Sequence, residues 1–344
     1  MFNFTALPPL SLYIHVPWCV RKCPYCDFNS HQAGDEIPEQ AYIDALIRDL
    51  EQDLPLVWGR TIQTIFIGGG TPSLFSAEAY DRLFSALRAL LPIRADAEIT
   101  LEANPGTFEA ARFTDYRAIG INRLSIGIQS FDGDSLTALG RIHDGKQAIR
   151  AAEIAHQAGF DNFNLDLMFG LPKQTAELAR KDVETAIALE PTHISYYQLT
   201  IEPNTLFHQS PPQLPDDEPI DNWQIANQQR LADAGYLQYE VSAYAKNGRQ
   251  SRHNLNYWQF GDYLGIGAGA HGKLTSAASQ SIERLVKQKQ PQAYLDKVNS
   301  PQRVMKQEPV GINEIGFEFM LNAFRLTDGF ATPLFLQWCA IGNH

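Results

Sequence analysis

The sequence predicts an α/β protein, a partial (β/α)6 barrel followed by a smaller α+β C-terminal region. Short apolar segments alternate with longer segments of helical period, which is typical of successive βα units around a parallel sheet. A proline-rich, acidic stretch at residues 209–219, QSPPQLPDDEP, continues neither a helix nor a strand and is expected to be a linker or lid. The length of 344 residues also exceeds the size at which one hydrophobic core usually stops growing.

The predicted strands are short runs rich in Ile, Val, Leu, Tyr and Phe, the residues that favour a pleated, buried backbone. They lie at residues 12–16, 64–68, 98–103, 123–130, 162–170 and 193–200. Because a closed barrel of this kind has eight strands, six βα repeats predict an open, partial barrel.

The segments between these strands repeat apolar residues at spacings of three and four, which predicts helices with one buried face. They lie at residues 38–54, 76–91, 108–120, 145–159 and 176–190. After the proline-rich stretch we expect a helix near 219–234, two apolar segments, a glycine-rich segment and a helical tail. The chain is therefore expected to divide into a core at 1–205 and a C-terminal region at 206–344.

The composition narrows the classes of partner. The chain carries 28 basic and 39 acidic side chains, a net charge of −11. Because this balance offers no electrostatic attraction for a polyanion, we expect no nucleic-acid partner. Residues 1–16 lack a basic segment followed by a long apolar one, and no run of about 18 apolar residues occurs, so we expect no transmembrane segment. The sequence therefore predicts a cytoplasmic protein.

Three of the four cysteines, Cys19, Cys23 and Cys26, fall within the eight residues CVRKCPYC. This crowding does not resemble the spread pairs of a disulfide scaffold, so metal or redox chemistry is the leading interpretation. Three thiolates suit a cubic iron–sulfur cluster that keeps one iron open for a small molecule. A tetrahedral zinc site remains an alternative if His15 or His31 supplies a fourth ligand. Metal-free cysteines fit poorly, because the same loop carries charged side chains typical of a surface.

Residues suited to a small polar ligand follow the other predicted strands, where a barrel places its site. The second strand leads into IFIGGGTPS, whose glycines allow close backbone approach but also close tight turns. Glu102 follows in the third strand, as a hydrogen-bond acceptor or a solvated acid. Gln129 ends the fourth strand, Arg141 comes after it, and Asp166 lies between apolar neighbours, where an unpaired carboxylate is costly. Together they predict a cofactor pocket.

The segment YIHVPWCVRKCPYCDF closely resembles the signature of radical S-adenosylmethionine (SAM) enzymes. The resemblance implies that the three cysteines hold a 4Fe-4S cluster whose open iron binds the amino and carboxylate groups of SAM. It implies a partial TIM-like barrel of the radical SAM type. It also implies that an electron passed through the cluster splits the sulfonium and produces a 5'-deoxyadenosyl radical.

Five segments in this order, LYIHVPWC, FIGGGTPS, LEANP, RLSIGIQSF and NLDLMFGLPKQT, resemble the oxygen-independent coproporphyrinogen III oxidase family over roughly residues 11–275. The oxidases continue the cluster motif with a fourth cysteine, where this chain has Phe28. The resemblance implies a set of SAM contacts. They are Tyr13, Tyr25, Gly69, Gly70, Thr71, Glu102, Gln129, Arg141 and Asp166.

The segment HNLNYW at residues 253–258 resembles the mark of a heme-chaperone branch of that family, in which the histidine is implicated in heme binding. By its chemistry alone, His253 is either a heme ligand or a hydrogen-bonded core residue. His271 is a second candidate, with a turn residue as the alternative. Family members usually continue beyond FEFMLNAFRLTDG into a small winged-helix-like end, so we expect a truncated C-terminus and assign Cys339 no role.

Three functions remain open at this point. The first is a heme chaperone that uses a 4Fe-4S cluster, SAM and heme, with acceptor heme proteins and an electron donor as partners. The second is the oxidative decarboxylation of coproporphyrinogen III to protoporphyrinogen IX. The third is a zinc or cluster-bearing scaffold that makes no use of SAM, which the GGGTP and Glu102 constellation disfavours.

Overall fold

The computed structural model describes residues 2, 4, 6–34, 36–106 and 110–339. Its strands are listed here in chain order. They are β1 (Leu10–Val16), β2 (Trp18–Cys19), β3 (His31–Gln32), β4 (Ile62–Gly69), β5 (Ile93–Ala103), β6 (Arg123–Gln129), β7 (Phe163–Phe169), β8 (His193–Gln198), β9 (Leu237–Glu240), β10 (Ala243–Ala245), β11 (Asp262–Ile266), β12 (His271–Ser276), β13 (Ser281–Lys287) and β14 (Val304–Pro309).

The helices bracket these strands. They are α1 (Glu39–Val57), α2 (Ala77–Leu90), α3 (Phe113–Ala118), α4 (Gly133–Ala138), α5 (Gly145–Gln157), α6 (Ala176–Ala188), α7 (Leu206–Gln209), α8 (Asp217–Asp233), α9 (Arg252–Trp258), α10 (Pro291–Lys297), α11 (Ile315–Ala323) and α12 (Thr332–Cys339). Among the described helices, none combines the length and apolar character needed to cross a bilayer.

One mixed sheet forms the centre of the molecule. Within the described residues its strand order is β14-β13-β12-β11-β1-β4-β5-β6-β7-β8-β10-β9. The six strands predicted from the sequence are β1 and β4–β8, which pair in parallel, and the α/β class is confirmed. The order is linear, with β14 and β9 at its two ends.

One face of the parallel strands is apolar and fully buried. Leu12, Ile14 and Val16 in β1 and Ile65 and Ile67 in β4 are all inaccessible to solvent. Because these residues alternate along each strand, they lie on one face, and that face belongs to the same hydrophobic core as the buried residues of α1 and α2. The helix α2 begins at the N-cap Ser76, whose side chain accepts a hydrogen bond from the Ala79 N–H. The strands and the helical faces therefore share one core.

The predicted helices are confirmed in position for four of the five segments, with ends that shift by up to three residues. In the third predicted segment, 108–120, the described residues contain α3, and residues 108 and 109 lie outside the described part of the chain. The helix expected near 219–234 begins at Asp217, where Asp217 and Glu218 place negative charge in its first turn.

The predicted helical tail is wrong in part. Residues 281–287 and 304–309 form the strands β13 and β14, which extend an antiparallel ladder from β12. The glycine-rich segment 263–272 also contains a seventh parallel strand, since β11 pairs with β1. Of the two apolar segments, 253–260 is mostly helix α9. The division into regions at residue 205 stays a prediction.

A buried ionic network joins α1 to β13 and to the residues before β14. The Lys287 Nζ atom donates to Asp49 Oδ1 and Asp53 Oδ2, each at 2.5 Å. The Arg303 guanidinium donates to the same two carboxylates, and the Tyr294 hydroxyl donates to Asp49 at 2.8 Å. Because removal of one partner leaves an uncompensated buried charge, each member of the network is needed.

Replacement of Lys287 by Met should lower the free energy of unfolding by roughly 3–5 kcal/mol, because two carboxylates then share one buried cation. Chemical denaturation measures this change. Lys306→Met on the neighbouring strand β14 is the control, since Lys306 is more than half exposed and pairs only with Glu308. Equal unfolding midpoints for the two variants would contradict the structural role of the network.

Candidate cofactor site

A cavity of about 890 Å³ opens at the carboxyl ends of the parallel strands. Its floor and near wall come from β4–β8 and from the cysteine loop, residues 19–28. All the predicted site residues line it except Tyr13 and His253. Those that line it are Cys19, Cys23, Tyr25, Cys26, Gly69, Gly70, Thr71, Glu102, Gln129, Arg141 and Asp166.

The cysteine loop is held at both of its ends. The short strands β2 and β3 pair at its base, through Trp18 with His31 and Cys19 with Gln32. The Asn29 side chain then donates to the carbonyl oxygens of Ala268 and Lys289, at 3.0 and 2.9 Å. These contacts fix the loop to the turn after β11, and they present the three thiols to the cavity.

Burial raises the pKa of Cys19 and of Cys26, although hydrogen bonds from Thr71 and Ser30 to Cys19 and from Ser30 to Cys26 act in the opposite direction. Buried thiols remain protonated unless a nearby cation stabilises the thiolate, and a coordinated metal provides that stabilisation. The Arg141 guanidinium lies 3.7 Å from Cys23 Sγ. The loop therefore has the donor set and the surroundings that suit a metal centre.

The arrangement favours a cluster over a single zinc ion. Within the described ranges, no three His, Cys, Asp or Glu side chains are placed to hold one metal ion. His15 is also engaged, because its ring nitrogens contact the Tyr13 hydroxyl at 2.9 Å and the Asn29 carbonyl at 2.8 Å. A cubic cluster instead presents its irons at separate corners, so its thiolates need not converge on one point.

The glycines after β4 are required by packing. A Cβ on Gly69, whose φ is +113°, would lie 2.5 Å from the His15 ring, and one on Gly70 would lie 2.5 Å from the Trp18 carbonyl oxygen. The N–H groups of Gly69, Gly70 and Thr71 all donate within the protein. A ligand beside this turn can therefore meet carbonyl oxygens but not these N–H groups.

Glu102 is the carboxylate with the most perturbed environment in the cavity. Burial raises its pKa to about 7, the Gly69 N–H at 2.9 Å acts to lower it, and the charge of Asp166 raises it further. A carboxyl group near half-ionisation in a cavity can respond to a cationic ligand, because an ammonium group nearby favours its charged form.

A polar belt continues around the cavity from Glu102. Gln129 has a positive φ of 71° and accepts a hydrogen bond from the Tyr197 hydroxyl at 2.9 Å. Such a conformation is unfavourable for a residue with a side chain and tends to occur at functional sites. Asp166 accepts from Asn164 at 2.8 Å and from Ser125 at 3.3 Å. Burial raises the pKa of Asp166.

Asn104 is a cavity residue that the sequence interpretation missed. Its amide nitrogen donates to Thr71 Oγ1 at 3.0 Å, and its oxygen accepts from Arg141 Nη2 at 2.8 Å. It therefore links two of the predicted contacts. Its position directly after Ala103, at the end of β5, was the signal that could have identified it.

Tyr13 and His253 lie away from this cavity. Tyr13 lines a smaller cavity of about 320 Å³ together with Tyr257, Trp258 and His271. His253 is 1% exposed, and its ring nitrogens contact Thr64 Oγ1 at 2.7 Å and the Tyr257 hydroxyl at 2.8 Å. Burial lowers the pKa of His253 to about 3, so its imidazole is neutral.

Two other residues from the sequence interpretation are well defined. Phe28 is 60% exposed at the rim of the main cavity. Cys339 is buried in an apolar cluster with Phe319 and Trp338 and does not line the main cavity. Its thiol therefore contributes nothing to the cysteine loop.

The model of the Radical SAM superfamily matches residues 13–186, about half of the chain, and this match includes the cysteine loop. The fold agrees with it. The solved structure of coproporphyrinogen III oxidase (HemN) from Escherichia coli, a radical SAM enzyme, superposes with a TM-score of 0.82 at 24% identity, over 96% of this chain and 79% of that chain. The fold and the site thus define a radical SAM protein.

The similar sequences narrow the class. The chain is 52% identical to heme chaperone HemW of Escherichia coli (strain K12) over 337 residues, which are 97% of this chain and 87% of the relative. It is 53% identical to heme chaperone HemW of Haemophilus influenzae over 328 residues, 94% of this chain and 84% of the relative. The protein of the same name from Bacillus subtilis is 38% identical over 79% of this chain and 73% of the relative. The chain therefore belongs to the HemW family.

Replacement of Cys23 by Ala should abolish cluster assembly, because it removes one of three thiolate ligands. Iron and sulfide analysis after anaerobic reconstitution measures the loss. Cys339→Ala is the matched control, since that thiol is buried elsewhere. If the Cys23 variant contained as much iron and sulfide as the parent protein, the cysteine loop would not be the cluster site.

Replacement of Glu102 by Gln should weaken SAM binding about ten- to hundred-fold, since a hydrogen bond to a charged group contributes roughly 1.5–3 kcal/mol. Because the pKa of Glu102 is raised to about 7, its acceptor charge is lost as the pH falls through that value. The parental affinity should therefore rise about ten-fold from about pH 6 to about pH 8.

Calorimetry on reconstituted protein at both pH values checks this expectation, with the exposed Glu177→Gln as the control. A Glu102 variant whose affinity and pH dependence both match the parent's would leave Glu102 with a structural role only.

Proposed function

We propose that the chain is a heme chaperone that carries a 4Fe-4S cluster, binds SAM and heme, and delivers heme to acceptor heme proteins. The observation that carries the proposal is identity above 50%, across nearly the whole chain, to proteins named heme chaperone HemW. The site described above supports it, because it offers three thiols, a polar cavity and an apolar rim.

Cys19, Cys23 and Cys26 would hold the cluster, which supplies one-electron reduction of the SAM sulfonium when it is bound. Glu102 would accept hydrogen bonds from the amino N–H groups or the ribose hydroxyls of SAM. The polar belt of Gln129, Arg141 and Asp166 would orient the rest of the cofactor. An orphaned donor supports a ligand here, since the Arg141 Nε atom is buried without a partner among the described residues.

The hydrogen bonds of His253 suit a metal ligand. Thr64 donates its hydroxyl to Ser11 at 2.8 Å, so its oxygen accepts the Nδ1–H of His253. The Nε2 atom then carries the lone pair and accepts from the Tyr257 hydroxyl. A neutral imidazole whose Nδ1–H is fixed by a second residue is the usual form of a metal-bound histidine. His253 Nε2 would be the atom that holds heme iron, in place of its hydrogen bond to the Tyr257 hydroxyl.

The alternative function, coproporphyrinogen III oxidation, is not favoured by the names of the close relatives. Phe28 supports the same choice, because an exposed aromatic ring stands at the cavity rim where the oxidases have a further cysteine. The third alternative, a scaffold that makes no use of SAM, does not explain the polar belt of the cavity or the raised pKa of Glu102.

The partners and the location belong to the same proposal. Cluster reduction needs an electron donor, and delivery needs acceptor heme proteins. Three neighbouring thiols persist in reduced form only in a reducing compartment, which supports the cytoplasm.

The proposal predicts that the anaerobic, reconstituted protein binds hemin stoichiometrically and passes it to a heme-free acceptor protein. It should not decarboxylate coproporphyrinogen III when SAM and a reductant are present. Absorption titration and product analysis measure the two outcomes. Appearance of protoporphyrinogen IX would promote the oxidase alternative.

His253→Ala in the same titration should shift the Soret band, because the axial nitrogen is lost. The affinity should change less, since the apolar surface that holds the macrocycle remains. His208→Ala, at an exposed histidine of α7, is the control. A variant spectrum identical to the parent's would show that His253 is not an axial ligand.

A further inference from the structure

The far wall of the main cavity comes from the region after residue 205 and has no assigned ligand. Among the described residues after 205 that line the cavity, Arg325 is the one cation. Glu240, Ser242, Asn254 and Trp258 line the same wall. The opposite wall carries the cysteine loop and Arg141, so the two walls offer different chemistry.

Two buried donors on this wall are unsatisfied. The indole Nε1 of Trp258 and the Nε of Arg325 have no hydrogen-bond partner within the described residues. Buried donors without a partner are uncommon, because their desolvation is not compensated. Two such donors on neighbouring side chains that line one cavity indicate a place for an acceptor.

The Arg325 guanidinium is already oriented. It stacks on the Trp258 ring at 4.3 Å, and its Nη2 donates to Glu240 Oε2 at 2.8 Å. Glu240 is buried, and its other oxygen accepts the Ser242 N–H at 3.1 Å. A stacked, paired guanidinium loses little further conformational freedom when it binds a second acceptor, and its planar fork matches a carboxylate.

The remainder of the ligand is expected to be apolar and flat. Val241 lines the cavity and is 50% exposed, and Phe28 is 60% exposed on the opposite rim. Exposed apolar side chains on both rims favour a ligand that covers them, since burial of apolar surface is stabilising. The wall thus combines an arginine, paired with Glu240 but with an unsatisfied Nε donor, with apolar surface, which fits an apolar macrocycle that bears carboxylates.

The structure assigns Arg325 and Trp258 to a carboxylate subsite that binds a propionate group of heme. This inference rests on the proposed function, because it names the part of heme that the far wall recognises. Arg325 supplies the charge-assisted hydrogen bonds. Trp258 fixes the guanidinium and adds its own N–H.

The test compares hemin with hemin dimethyl ester, which keeps the macrocycle and the iron but lacks the propionate charges. The parent protein should bind hemin about ten-fold or more tightly than the ester. Arg325→Gln should weaken hemin binding by a similar factor and leave the affinity for the ester nearly unchanged. Arg325→Lys, which keeps the charge but loses the fork, should give an intermediate affinity.

Arg249→Gln is the control, because that arginine pairs with Asp161 on the surface, outside the cavity. Equal affinity of the parent for hemin and the ester overturns the subsite and leaves the chaperone proposal standing. Failure of the parent to bind either ligand contradicts the proposed function and the subsite with it. If Arg325→Gln does not fold, Trp258→Phe is the second variant, because it keeps an aromatic ring and removes the indole N–H. If this variant prefers hemin to the ester by the same factor as the parent does, the indole N–H takes no part in the subsite.

Discussion

The position of the cysteine loop depends on β1, which pairs in parallel with β4 on one side and with β11 on the other. The loop follows β1 directly, so any shift of this strand moves the three thiols. The start of β11 is fixed by Asp262, which is fully buried and accepts hydrogen bonds from Arg60, Lys273 and Thr275. The C-terminal region therefore helps to position the site, because β11 pairs with β1. In addition, the Asn29 side chain hydrogen-bonds to the turn that follows β11.

Two groups of carboxylates in the described part of the chain differ in their partners. Asp262 is paired with two cations, and Asp49 and Asp53 share Lys287 and Arg303, so their charges are compensated within the protein. Glu102 has one N–H partner and a neighbouring carboxylate, and its pKa rises to about 7. The first group stabilises the fold. Glu102, in contrast, lies in the cavity, and its charge has no cationic partner among the described residues, so it is available to a cationic ligand.

The pattern of apolar residues along the sequence predicted the strands β1 and β4–β8, whose formation depends on residues close together in the chain. Alternate apolar residues of β1 and β4–β8 lie in the main hydrophobic core, and the strand-end residues meet because parallel strands end at the same edge. The pairing of β11 with β1 joins residues about 250 positions apart in the sequence. Because the sequence of β11 is glycine-rich and resembles a turn, no hydrophobic periodicity predicted this strand. The role of Arg325 was not predicted for the same reason, because this residue belongs to a segment after α11 that is far along the chain from the cysteine loop. Tyr13 was assigned by resemblance, but it shares a face of β1 with His15 and contacts it there.

Helix α9 joins the two cavities physically. Trp258 lines both of them, while His253 is buried one turn earlier on the same helix. From His253, ring contacts continue through Phe66, at 5.1 Å, to Tyr13, at 6.3 Å from Phe66. Tyr13 contacts His15, and His15 contacts the Asn29 carbonyl in the cysteine loop. These side chains contact one another in series, so a ligand that displaces Tyr257 from His253 changes the surroundings of side chains whose contacts extend to the Asn29 carbonyl beside the cysteine loop. The proposed heme ligand His253 and the cysteine loop are therefore joined through one set of packed side chains, although His253 itself lines neither of the two cavities.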